Sequence, residues 1–130
     1  MIIIDASLAF EIAISTKDGD ELSEKIIASR ASLAAPEIID LEVLQTLRRF
    51  LRQGQIDETR AENAIRNFDD LAIEKFSHTP LQMRIWSLRD NLTAYDAAYF
   101  ALAELLDAPL WTRDEKFHSV PGHAARIEVL

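Results

Sequence analysis

A chain of 130 residues has room for one hydrophobic core, and a composition 48% hydrophobic and 28% charged with only 3 Gly and 4 Pro excludes a disordered or low-complexity chain. The absence of cysteine excludes disulfides, thiolate metal sites and cysteine nucleophiles, and fits a reducing compartment. A net charge of −8 excludes general electrostatic attraction to a phosphate backbone, so any contact with nucleic acid has to be made by local positive charge. We expect a single domain over residues 1–130. Asp5 interrupts the first apolar run too early for a secretion signal, and no later stretch approaches the length of a bilayer span. The expectation is a soluble, cytoplasmic protein with no membrane contact.

In chain order, Ile2-Ile3-Ile4 is a short β-branched run of the kind buried on both faces of a parallel sheet, and it stops at Asp5. Ser7 is placed to cap a helix carrying Leu8, Ala9 and Ile12. A second helix follows Lys17-Asp18-Gly19-Asp20, with Leu22, Ile26 and Ile27 on one face. Ser32 to Ala35 predicts a strand closed by Pro36. From Ile38 to Gln53 the positions Ile39, Val43, Leu47, Phe50 and Leu51 recur at three- and four-residue steps, an amphipathic helix ended by Gly54.

Asp57 opens a further helix containing Ala61, Ala64, Ile65 and Phe68, joined to the previous one as an antiparallel hairpin. Ile73 to Ser77 predicts a third strand. Pro80 suits the first turn of a helix through Met83, Ile85, Trp86 and Leu88. Thr93 to Asp96 begins an Ala- and Leu-rich helix, Pro109 to Thr112 a strand that again runs up to an acid, Asp114, and Arg126 to Val129 a last strand. Alternating strands and helices imply an α/β fold of three layers, α/β/α, with a mainly parallel sheet of about five strands and much helix.

In open α/β sheets ligands gather beyond the carboxyl ends of the strands, where Asp5 and Asp114 both lie. Glu42, with Ile38 and Ile39 at i−4 and i−3, borders the buried stripe of its helix. Asp96 shares a face with Tyr99 and Phe100. Each acid also has a purely structural reading. Asp5 sits where a cap belongs, Glu42 where boundary glutamates are common, Thr93-x-x-Asp96 resembles a capping box, and Thr112-x-x-Glu115 reads as a cap for a short turn.

The functional reading depends on convergence. Four carboxylates in one pocket repel one another unless a divalent cation compensates, and an all-oxygen donor set selects Mg²⁺ or Mn²⁺ over zinc. Such an ion supplies what hydrolysis of a phosphodiester requires without a covalent nucleophile. His78, His118 and His123 lack paired metal-ligand spacing, and no Gly-rich phosphate loop is present.

Three segments, MIIIDAS, APEIIDLEVLQTLRR and LTAYDAAYFALAELLDAPLWTRDEKF, together with the chain length, resemble the PIN domain, and in particular the VapC-type toxins of toxin–antitoxin pairs. The resemblance implies that Asp5, Glu42, Asp96 and Asp114 are metal ligands, directly or through water, with Thr112 and Ser7 supporting them by hydrogen bonds. It further implies Mg²⁺-dependent endonucleolytic cleavage of RNA by metal-activated water, homodimerisation, assembly with a cognate antitoxin whose C-terminal segment occupies the toxin's groove, and a higher toxin–antitoxin assembly. Where some relatives carry an additional acid after the last motif, this chain has Phe117, with Glu115 as the nearest substitute.

Setting the four proposed ligands aside leaves 14 basic against 18 acidic side chains, a balance of −4. Arg48, Arg49 and Arg52 on the Glu42 helix and Arg113 beside Asp114 are the candidate RNA contacts, with solvated helix surface as their structural reading. Two rival functions share the expected fold. One is a non-catalytic module that binds RNA or a peptide. The other is a phosphoacceptor domain, for which the chain lacks an adjacent acidic pair after its first strand.

Overall fold

The structure is a computed structural model that describes residues 1–130. Five strands form one sheet in the order β3-β2-β1-β4-β5: β1 Ile2–Ile4, β2 Leu33–Pro36, β3 Glu74–Phe76, β4 Leu110–Thr112 and β5 Ile127–Val129. All four pairings are parallel, with Ile3 opposite Ala34 on one side and Leu110 on the other. The helices are α1 Ala6–Ala13, α2 Lys17–Ser29, α3 Ile39–Arg52, α4 Glu58–Asp70, α5 Gln82–Ser87 and α6 Ala94–Leu105. Short 3₁₀ turns lie at Thr79–Leu81 and Glu115–Ser119.

The three layers follow from chain direction. The crossovers from β1 to β2 and from β2 to β3 run the same way along the sheet, so right-handed connections put α1 to α4 on one face. The crossover from β3 to β4 runs back, which puts α5 and α6 on the other. In keeping with this, α6 packs across β1, β2 and β4 while α1 packs against α2, α3 and α4. The central strand β1 is wholly buried, and the stretch Ala97–Ala103 of α6 is buried residue by residue, its alanines letting the helix lie close to the sheet. The reversal of direction falls between β1 and β4, which is where a doubly wound sheet opens a crevice.

Several details depart from the sequence expectation. Asp5, not Ser7, caps α1: its side chain accepts from the Leu8 amide at 3.0 Å, and Ser7 lies inside the first turn. Thr112 does not cap the Glu115 turn; Asp114 does, accepting from the Lys116 amide. Ile27 is 75% exposed, and Ile65, Met83 and Trp86 also face solvent, because apolar spacing does not reveal which residues a neighbouring element covers. Pro36 ends β2 within the strand, and Pro80 sits in the 3₁₀ turn preceding α5.

Two glycines have identifiable steric work. A Cβ on Gly19, in the first turn of α2, would stand 2.1 Å from the Glu11 carbonyl oxygen of α1, so only glycine allows this helix crossing. Gly54, at φ +72°, carries the left-handed turn after α3. Elsewhere the same left-handed geometry falls on Ser15, Arg30, Ala72 and Asp107.

Candidate active site

Asp5 leaves β1 still tied to β4, its amide donating to the Trp111 carbonyl, and turns its carboxylate into the gap between the two strands. Asp5 is 5% exposed, and its carboxylate accepts three hydrogen bonds, Oδ1 from Ser7 Oγ at 2.7 Å and from the Leu8 amide and Oδ2 from Thr112 Oγ1 at 2.6 Å, which leaves acceptor capacity on Oδ2. Both hydroxyls are held from behind. Ser7 Oγ accepts from the Arg113 amide at 3.0 Å and Thr112 Oγ1 from the Asp114 amide at 2.9 Å. The segment after β4 therefore aims two hydroxyl protons at one carboxylate, fixing its orientation.

The other three acids arrive from separate elements. Glu42 is in the first turn of α3, its Oε1 accepting from Tyr99 Oη at 2.8 Å. Asp96 is in the first turn of α6, which Thr93 caps, and Asp114 follows β4. All four line a single open cleft of about 800 Å³. Burial, partly offset by the hydrogen bonds from Thr112, Ser7 and Leu8, pushes the Asp5 carboxyl above its ordinary range, and the Asp96 charge adds to this. Glu42 is raised by burial against the lowering effect of the Tyr99 bond, with the charges of Asp96 and Asp5 adding; Asp96 is raised by burial and then by Asp114. Burial and the neighbouring carboxylates drive the Tyr99 phenol far upward, so it remains a donor.

None of the four carboxylates is in an ion pair with a lysine or arginine, so their charge is uncompensated by the protein. That donor chemistry, oxygen only and anionic, fits a hard divalent cation. No three Asp, Glu or His side chains converge tightly enough to make a ready-formed cage, so the fit is to an open site completed by water or substrate.

The cleft extends well beyond the acids. One wall is α1, through Ala6, Ser7, Phe10 and Glu11; the other is a continuous face of α3, from Ile38 through Gln45 and Thr46 to Arg49 and Phe50. Of the four arginines expected at RNA, Arg49 and Arg113 line it, while Arg48 and Arg52 do not. Arg113 is occupied, donating to the Leu130 carbonyl at 2.9 Å and to Asp18 at 3.2 Å. The histidines stand outside the cleft; His78 accepts from the Ile38 amide and His123 from the Ala125 amide.

Comparison with known proteins decides the family. The model of the PIN domain matches residues 2–123. The chain belongs to the PIN-domain family. Within it, Ribonuclease VapC9 of Mycobacterium tuberculosis is 36% identical over 88% of this chain and 86% of its own length, and Ribonuclease VapC12 of the same organism is 32% identical over 100% and 99%. These identities place this PIN domain with the VapC ribonucleases. A toxin–antitoxin complex from Klebsiella pneumoniae (TM-score 0.67, 19% identity, 99% and 97% of the two chains) and VapBC2 from Rickettsia felis bound to a DNA fragment from their promoter (TM-score 0.67, 17% identity, 99% and 98%) share its fold.

Sequence reasoning missed the function of Tyr99 as the donor to Glu42, since nothing local signals a bond across 57 residues. It also missed the α1–α3 wall. The pattern was present, because the lining positions of α3 fall at three- and four-residue spacing, but it marks a cleft only once α1 is known to stand opposite.

Proposed function

We propose that this PIN domain is a metal-dependent endoribonuclease acting as the toxin of a toxin–antitoxin pair, and that Asp5, Glu42, Asp96 and Asp114 carry its chemistry. The observation that supports this best is the convergence of four carboxylates from four elements on one cleft at the strand-order reversal, with no protein cation to neutralise them. Mg²⁺, or Mn²⁺ in its place, would be held by these four side chains, directly or through water. When bound, such an ion neutralises the carboxylates, polarises a phosphoryl oxygen and brings water to reactivity at neutral pH.

The protein's own contribution is order. Ser7 and Thr112 hold the Asp5 carboxylate in one orientation, and Tyr99 holds that of Glu42, so the acids need little rearrangement when a phosphodiester arrives. The scissile phosphate lies at the acidic end of the cleft, and the rest of the strand follows the α1–α3 walls.

The partners follow from the same reading: an RNA substrate, a second copy of the chain, and an antitoxin protein, in line with the toxin–antitoxin complexes among its structural relatives. No helix is long and apolar enough to cross a membrane; the proposed RNA substrate supports a cytoplasmic site of action as part of the same reading. The test is cleavage of RNA by purified protein with Mg²⁺, with EDTA, and by Asp96→Asn. The expected outcome is metal-dependent turnover that Asp96→Asn lowers at least a hundredfold, about 2.7 kcal/mol of barrier. Equal rates for wild type and variant, with contaminating nuclease excluded, reject the catalytic role of Asp96, and wild type without metal-dependent turnover leaves the non-catalytic RNA- or peptide-binding module.

A further inference from the structure

The end of the cleft away from the acids has no part in the chemistry above, yet it is built from the same two helices. Arg49 lies seven residues, or two turns, beyond Glu42 on α3, about 10 Å along the axis. It is exposed and forms no ion pair, whereas Arg113, the other cation lining the cleft, is spent on Asp18 and a carbonyl. In a chain of net charge −8, Arg49 is thus the one uncommitted positive charge on the cleft wall.

Its guanidinium stands 5.9 Å from the ring centroid of Phe50, and Phe50 is backed by buried Phe10 at 4.9 Å between centroids. A partly buried aromatic ring fixed from behind, with a guanidinium over it that no carboxylate holds, combines the two elements that hold single-stranded nucleic acid: a stacking surface and a phosphate anchor. Between this pair and the acids, Gln45 contributes an exposed uncharged amide.

We propose that Arg49 and Phe50 form a nucleotide subsite that grips the RNA strand beside the scissile phosphate, Arg49 taking a neighbouring phosphate and Phe50 stacking on a base. This rests on the ribonuclease reading. It assigns the pair to positioning and base preference, with no contact to the reacting atoms. An acidic cleft end repels the strand, and Arg49 offsets that repulsion at the one place on the wall where a free cation is available.

The test is fluorescence anisotropy with end-labelled single-stranded eight-nucleotide oligoadenylate and oligouridylate, in EDTA and with Ca²⁺ replacing Mg²⁺, the oligomers verified intact by gel. Arg49→Ala is expected to bind roughly tenfold more weakly and to reduce the salt slope by about 0.7, while Arg48→Ala, off the cleft, stays within about twofold of wild type. Phe50→Leu, which keeps an apolar side chain, is expected to lose roughly tenfold on oligoadenylate and less on oligouridylate. Arg49→Ala binding as tightly as Arg48→Ala overturns the subsite without touching the ribonuclease reading, and leaves this face to a protein partner. A Phe50→Leu variant that binds both strands like wild type overturns the stacking half. Wild type binding neither strand under either condition overturns the subsite, while metal-dependent cleavage of RNA, measured separately, decides the ribonuclease reading.

Discussion

Thr112 has no solvent exposure and still makes two polar contacts that matter, donating to Asp5 and accepting from the Asp114 amide. Valine has the same shape and neither capacity. Thr112→Val is therefore expected to lose about 1–3 kcal/mol, seen as a lower urea midpoint, because it strands a buried carboxylate oxygen and an amide; Thr112→Ser should recover most of it. Tyr99→Phe is a different case. The ring stays packed, but Glu42 loses the donor that favours its charged form. Its carboxyl then moves further up, so the acidic limb of the RNA-cleavage pH profile should shift to higher pH with the fold intact by circular dichroism. An unmoved limb would show that Glu42 does not have to be ionised for turnover. Asp5 and Thr112 were legible in the sequence as strand-end residues. The Tyr99 bond was not, because it joins side chains that only packing brings together.

Glycine usage sets a pair of predictions at the scale of elements. Gly19 stands where α2 crosses α1, with no room for a Cβ against the Glu11 carbonyl oxygen. Gly19→Ala should cost about 1–3 kcal/mol and several degrees of Tm, although alanine is the better helix former. Ala72, just after α4, holds φ +50°, a geometry that costs an L-residue about 1 kcal/mol or more. Ala72→Gly should raise Tm by a few degrees, with activity unchanged. Helix periodicity located α3 and α4, while helix faces were less secure. Ile27 and Trp86 fit apolar stripes but remain exposed, because burial depends on which neighbour is present.

At the scale of the whole molecule, the cleft trades stability for charge. Asp5, Glu42 and Asp96 have carboxyls raised in the fold above their unfolded values. Below the unfolded value these groups are protonated in both states and cost nothing; as pH rises through the folded value the ionised form burdens the fold, and stability is lost. Metal-free Asp96→Asn should therefore melt several degrees above wild type near pH 8 in EDTA, with the gap closing near pH 4. Glu104 acts in the opposite sense. Its hydrogen bond from Arg84 lowers its carboxyl, so it contributes stability above its unfolded value and loses it as pH falls. Millimolar Mg²⁺ should raise the Tm of wild type and leave Asp96→Asn nearly unmoved. A variant that melts below wild type at pH 8 would contradict the burden that burial and the Asp114 charge place on ionised Asp96.

By itself the sequence determined the alternation of strands and helices, the buried character of β1, and the placement of Asp5 and Asp114 just past strand ends, since these follow from local spacing and residue type. The tertiary structure alone decided that β1 and β4 are neighbours, that Glu42 and Asp96 meet them across the gap, and that Arg49 faces the cleft while Arg48 and Arg52 do not. The physical reason is that strand order and helix rotation are set by contacts between residues far apart in the chain, each of which depends on every other element being in place.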